Sequence, residues 1–204
     1  MNYLYQGDIP QNIKFANAIA VDTETLGLNN QRDRLCLVQI SSGDGNAHLV
    51  QLGGEYGYHA KNLKALLKNN DLLKIFHYAR FDLAVLKIYL GVLPKNIYCT
   101  KIASKLARTY TDKHGLKELC KELLGVEISK QQQSSYWGNN TLTKNQIKYA
   151  SNDVLYLHDI KYELDKILVR ENRFSLVNSI FRFLPTRIKL DLLGWENIDI
   201  FSHS

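Results

Sequence analysis

Proline occurs only at 10, 94 and 185 in the 204 residues, and no stretch rich in Pro, Gly or Ser interrupts the chain, so nothing marks a linker between two folding units. No segment repeats another. Long apolar runs are missing too: no window approaches the about 18 consecutive apolar residues of a membrane-spanning helix. The opening MNYLYQGDIP lacks the charged and apolar regions of a secretory signal. Cysteine is scarce. Cys36, Cys99 and Cys120 are far apart and odd in number, which argues against a disulfide framework or a CxxC zinc site and for buried, reduced thiols. A cytoplasmic protein with no membrane partner is expected.

What is present supports one packed unit. With 45% hydrophobic residues the chain is long enough for one sizeable core, and a single domain over 1–204 is expected. The formal net charge of +6 tilts the surface toward anionic partners, although charge alone does not identify nucleic acid.

Hydrophobic patterning gives the order of elements. IAVDTETL, RLCLVQISS and NAHLVQL read as successive strands, the last two joined by a Gly-Asp-Gly-Asn turn at 43–46. Leu63, Leu66 and Leu67 mark a short helix, 72–78 a buried strand, and Ala84, Val85 and Ile88 a helix running to Gly91. A short strand at 97–99, a helix from Thr100 to about Arg108 and another from Leu116 to Leu124 before Gly125 follow, then a polar loop at KQQQSS. Thr143 and Gln146 form a capping-box pair, and the stripe Ile147, Ala150, Val154, Leu157, Ile160, Leu164 predicts one long helix. Three meander strands followed by alternating helices and strands imply an α/β mixed sheet flanked by helices on both faces.

Five polar residues stand out on this framework. On a strand, Asp22 and Glu24 project from one face while Val21 and Thr23 turn the other way. Asp82 opens a helix just after a buried strand, where the helix N-terminus favours its charge. Tyr149 and Asp153 are helical neighbours four residues apart. Each piece has an ordinary explanation: a solvated pair, a helix-starting acid, a surface hydrogen bond. The first explanation fits poorly, because VDTE sits in an otherwise apolar strand, where unpaired buried acids cost several kcal/mol on the order of an uncompensated charge. Carboxylates gathered from three elements suit hard divalent cations, Mg²⁺ or Mn²⁺, rather than zinc.

In order, context and spacing these residues resemble the DEDD 3′→5′ exonucleases, in the ribonuclease D branch that carries tyrosine in its third motif. VDTETLGL resembles the first motif with Asp22 and Glu24, HYARFDLAVL the second with Asp82, and QIKYASNDVLYL the third with Tyr149 and Asp153. The sister branch has histidine five residues before the last aspartate, where this chain has Lys148. HGLKELCKELLG and SKQQQSSYWGNNTL extend the likeness over nearly the whole chain. Only about fifty residues follow Asp153, so the helical accessory domains of longer ribonuclease D enzymes are expected to be absent. The short length and the ending FLPTRIKLDLLGWENIDIFSHS are similar to the nano-RNase C group, which favours very short RNA and assembles into rings.

The resemblance implies a ribonuclease H-like sheet and hydrolysis of short RNA to nucleoside 5′-monophosphates, with two cations about 4 Å apart held by Asp22, Glu24, Asp82 and Asp153. Tyr149 would position the attacking water, a role that an ordinary phenol pKa near 10 suits better than general-base action. A DNA 3′→5′ exonuclease and a non-catalytic nucleic-acid-binding scaffold are the alternatives. Thr25, Leu26, Gly27 and Leu28 would pass the terminal nucleotide, Gly27 allowing close backbone approach and Leu28, or else Leu26, wedging against a base unless both are core. His77 and Arg80 are candidates for phosphate contact, His77 equally for a structural role. Lys101, Lys105 and Arg108 form a basic stripe that either tracks a nucleic-acid backbone or is simply solvated. The apolar residues of 186–204, Leu192, Leu193, Trp195, Ile198, Ile200 and Phe201, either cover their own core or join protomers. The likeness to ring-forming relatives favours a homo-oligomer.

Overall fold

A computed structural model describes residues 1–129 and 131–203. β1 (Asn2–Gln6) lies at one edge of the sheet, paired in parallel with β4 (Ala47–Gln51). It carries no strand signal in the sequence, because it is largely exposed and shows no two-residue alternation. β2 (Ala18–Thr25), β3 (Leu35–Ser41) and β4 form the expected antiparallel meander. β3 and β4 are buried along their whole length, which is why they read as apolar runs. β5 (Leu73–Phe76) and β6 (Ile97–Cys99) join in parallel beyond β2, giving the order β1-β4-β3-β2-β5-β6.

The helices pack on both faces. α1 (Lys61–Lys68) buries Leu63 and Leu67. α2 (Ala79–Val85) widens into a π turn (Leu86–Leu90), and α4 (Leu116–Leu119) into another (Cys120–Leu124). Gly91 and Gly125, both at φ 69°, end these segments in the left-handed conformation that glycine adopts without strain. α3 (Thr100–Ala107) lies between them in the chain. Of the loop expected at 130–135, Lys130 lies outside the described residues, as does Ser204 of the C-terminal segment.

The long helix expected from Thr143 onward is two. α5 (Lys144–Leu155) and α6 (Leu157–Arg170) meet at Tyr156, whose φ −100°, ψ −5° breaks the regular turn. The apolar stripe keeps its phase across this one-residue break, so periodicity cannot reveal it. The packing partners differ: α5 lies across β2, β3 and β4, whereas α6 packs on α3 and β5. α7 (Phe174–Leu190) buries Val177, Phe181, Leu184 and Ile188 at helical spacing, a signal interrupted in the sequence by Pro185, and continues into a π turn (Asp191–Trp195). No helix among the described residues is long and apolar enough to cross a membrane.

Candidate active site

The acids converge because α5 crosses the strand that carries two of them and α2 starts beside it. Asp22 and Glu24 lie two apart in β2, and a register irregularity between Glu24 and Thr25 ends the regular pairing with β3 just past them. α5, crossing β2 and β3, brings Tyr149 and Asp153 over the same strands. Carboxylate oxygens of Asp22, Glu24 and Asp153 all lie within 4.8 Å of one another. Asp82, in the first turn of α2, stands beside this trio; its Oδ1 accepts a 2.7 Å hydrogen bond from Thr23 Oγ1, the residue between the two β2 acids.

The electrostatics are those of a site awaiting positive charge. Burial lifts Asp22 well above the ordinary carboxylate range, and Asp82, Asp153 and Glu24 repel its charge further. Glu24 is raised in the same way, by burial and then by Asp153 and Asp82. Burial pushes Asp82 up to about 7 against the hydrogen bond from Thr23, and Asp153 up to about 7 against the bond that it accepts from the Tyr149 hydroxyl. Four such groups cannot all ionise without a compensating cation, and an all-oxygen donor set suits Mg²⁺ or Mn²⁺. Tyr149 does not keep the ordinary phenol value expected of it: burial, then Asp153, Glu24 and Asp22, hold its proton on. Its ring rests against buried Trp137, 6.1 Å between centroids.

Three residues missed in the sequence support this arrangement: Thr23, Trp137 and Gln39. Gln39 pairs with Asp22 across β2 and β3, and its Nε2 donates to Asp22 Oδ2 at 3.3 Å. The available signal was an amide side chain inside the apolar run LCLVQI, which the register sets directly opposite the first motif.

The expected substrate contacts divide. Leu28 is 87% exposed and Leu26 39%, so neither is core. Thr25 donates to the Gly27 carbonyl at 2.5 Å. The close approach at Gly27 is to Asp33, whose carboxylate a Cβ there would strike. His77 Nδ1 lies 2.9 Å from Thr100 Oγ1, between the end of β5 and the start of α3. Arg80 is not a free phosphate contact: Asp191 accepts two bonds from its guanidinium and the Glu196 carbonyl a third. The basic stripe does not exist. Arg108 caps α3 with a non-helical backbone (φ −115°, ψ 64°) and is fully buried, bonded to Glu122, Ser104 and the Lys113 carbonyl. Only Lys101 and Lys105 of the three reach the surface, Lys101 lying 4.2 Å over the Tyr78 ring. A cavity of about 530 Å³ opens beside the motif loops, walled by Leu28, Asn29, Tyr78, Arg80, Phe81 and Asp191 among others.

A mixed sheet carrying clustered carboxylates on its second strand and a Tyr–Asp pair on a covering helix defines a 3′-5′ exonuclease domain of ribonuclease H-like fold. The chain belongs to the 3′-5′ exonuclease family, whose profile matches residues 8–169. Its full length resembles Brucella melitensis NrnC, with 52% identity and TM-score 0.95 for the structure bound to pGG, covering 100% of this chain and 98% of that one. The NrnC structure with bound Mg²⁺ is 51% identical, at TM-score 0.94, with 100% and 99% covered. Ribonuclease D of Xanthomonas oryzae is 32% identical over 183 residues, 89% of this chain and 49% of that protein. The chain thus spans about half the length of the curated relatives it matches.

Proposed function

We propose that the protein is a divalent-metal-dependent 3′→5′ exoribonuclease that hydrolyses short RNA to nucleoside 5′-monophosphates. The observation that carries this is the convergence of Asp22, Glu24 and Asp153 oxygens within 4.8 Å, on a fold whose relative is known with bound Mg²⁺. Two divalent cations, when bound, supply Lewis-acid stabilisation of the scissile phosphate and lower the pKa of water. Asp22, Glu24, Asp82 and Asp153 would hold them, the positive charge relieving their mutual repulsion. Tyr149, its proton retained by burial and its hydroxyl anchored on Asp153, orients the attacking water and does not deprotonate it. The water oxygen bonds to phosphorus as the P–O3′ bond breaks; the water gives up a proton to solvent and the departing 3′ oxygen takes one up from solvent, leaving a 3′-hydroxyl on the shortened chain and a nucleoside 5′-monophosphate.

The preference for short RNA is supported by the likeness to a relative that binds pGG and by exposed Leu28 at the mouth of a cavity of about 530 Å³. Its exposure suits a wedge against a base. The three buried free thiols suit a reducing compartment such as the cytoplasm. Trp195, Ile198, Ile200 and Phe201 remain exposed on the C-terminal segment, which supports a homo-oligomer joined through that surface.

The deciding experiment is a side-by-side digestion, with Mg²⁺ or Mn²⁺, of 5′-labelled dinucleotide RNA, longer RNA, single-stranded DNA and duplex DNA. Fastest turnover of the dinucleotide is expected; strong preference for duplex DNA overturns the RNA assignment. Asp22→Ala and Asp153→Ala are expected to lower hydrolysis by at least about 10²-fold, the upper end of what loss of an outer-shell partner alone costs a metal site. Full activity in either variant refutes the site.

A further inference from the structure

Gln39 does little for the core in which it is buried. It is fully buried in β3, among the apolar residues of LCLVQIS. It makes one long bond, Nε2 to Asp22 Oδ2 at 3.3 Å, and its Oε1 is buried without a partner among the described residues. A buried amide satisfied on one side only weakens a fold, and an apolar side chain of the same volume would pack there at lower cost. Its placement is not arbitrary: the strand register sets Gln39 directly across from Asp22, and α5, bearing Tyr149 and Asp153, lies over both strands.

We propose that Gln39 is a positioning residue that sets the cation affinity of the site. By tethering one oxygen of Asp22 it fixes the plane of that carboxylate, and with it the donor set shared with Glu24 and Asp153. Ligating carboxylates are commonly held by such outer partners, whose loss weakens metal binding about 10–100-fold. The inference rests on the metal-site assignment proposed above.

The test is Mn²⁺ titration of the metal-stripped full chain by calorimetry, without nucleic acid, alongside melting curves. Gln39→Met keeps the volume and removes the donor; it is expected to weaken Mn²⁺ binding about 10–100-fold with the metal-free melting temperature unchanged or raised. In turnover, activity returns as Mn²⁺ is raised, while KM for the oligonucleotide stays at the wild-type value. Gln39→Leu serves as the second variant should the methionine disturb folding. Wild-type Mn²⁺ affinity in either folded variant overturns the inference. Asp22→Asn run in parallel separates the two assignments. If it abolishes Mn²⁺ binding while Gln39→Met leaves it intact, only the role of Gln39 falls; if it binds normally, the metal site itself falls.

Discussion

At the scale of single residues, the acids govern how stability responds to pH. Asp82 and Asp153 hold their protons to about 7 in the folded chain, whereas an unfolded aspartate loses its proton near 4. Their folded pKa values are raised, so the stability they contribute is fully present below pH about 4 and is lost as pH rises through about 7. Metal-free protein is therefore expected to melt lower at pH 7.5 than at pH 5, and added Mn²⁺ to restore the loss by binding only the folded state. Asp153→Asn should raise the metal-free melting temperature at pH 7.5, by about 2–4 °C for each kcal/mol of repulsion relieved. A wild-type melting temperature that rises from pH 5 to 7.5 without metal would contradict the raised values. Thr23→Val removes the 2.7 Å bond to Asp82 while conserving shape. It should lower kcat about 10-fold or more with little change in KM, read from saturation kinetics.

At the scale of elements, the start of α5 aims the Tyr–Asp pair. Thr143 accepts from the Gln146 backbone, and the Gln146 side chain bonds back to Thr143. The same amide donates to Ser135 and the Tyr136 carbonyl, tying the preceding loop, with Trp137, to the helix. Thr143→Ala is expected to cost about 1 kcal/mol in denaturant unfolding, and Gln146→Ala more, because three attachments go together. Arg108 acts at this scale as well. It joins the end of α3 to Glu122 and the 113 carbonyl, so Arg108→Met should lower stability and leave the salt dependence of nucleic-acid binding unchanged. A shallower salt slope would restore its surface role. Its helical spacing from Lys101 and Lys105 suggested a stripe, but a helix face persists only while the helix does, and α3 ends at Ala107.

At the scale of the whole molecule, the C-terminal segment is clasped onto the catalytic body by charge. Asp191 accepts from Arg80 and pairs with Arg187, and Arg187 in turn donates to the 195, 196 and 198 carbonyls. Residues 186–190 are part of α7, with Ile188 fully buried, and Leu192 packs against the core, so removing all of 186–204 would strip a helix end. Truncation after Leu192, which keeps Asp191 and the packed leucine, is the cleaner cut. If the exposed Trp195, Ile198, Ile200 and Phe201 join protomers, this variant sediments as a smaller species than the full chain; an unchanged mass assigns assembly to another surface.

The order of most elements and the acids that converge on β2 and α5 were legible in the chain. Asp22 and Glu24 stood out because acids within an apolar strand have few structural uses, and periods of two and four put Asp22 with Glu24 and Tyr149 with Asp153 on shared faces; the resemblance to the DEDD exonucleases joined these to Asp82 as one set. Only the tertiary structure decided what surrounds them. It set β1 against β4, split α5 from α6 at Tyr156, buried Arg108, and turned Arg80 toward Asp191. The physical reason is range. Periodicity and capping are properties of neighbours in the chain, whereas the partners of Arg80, Arg108 and Gln39 arrive from segments whose distance in space no local pattern encodes.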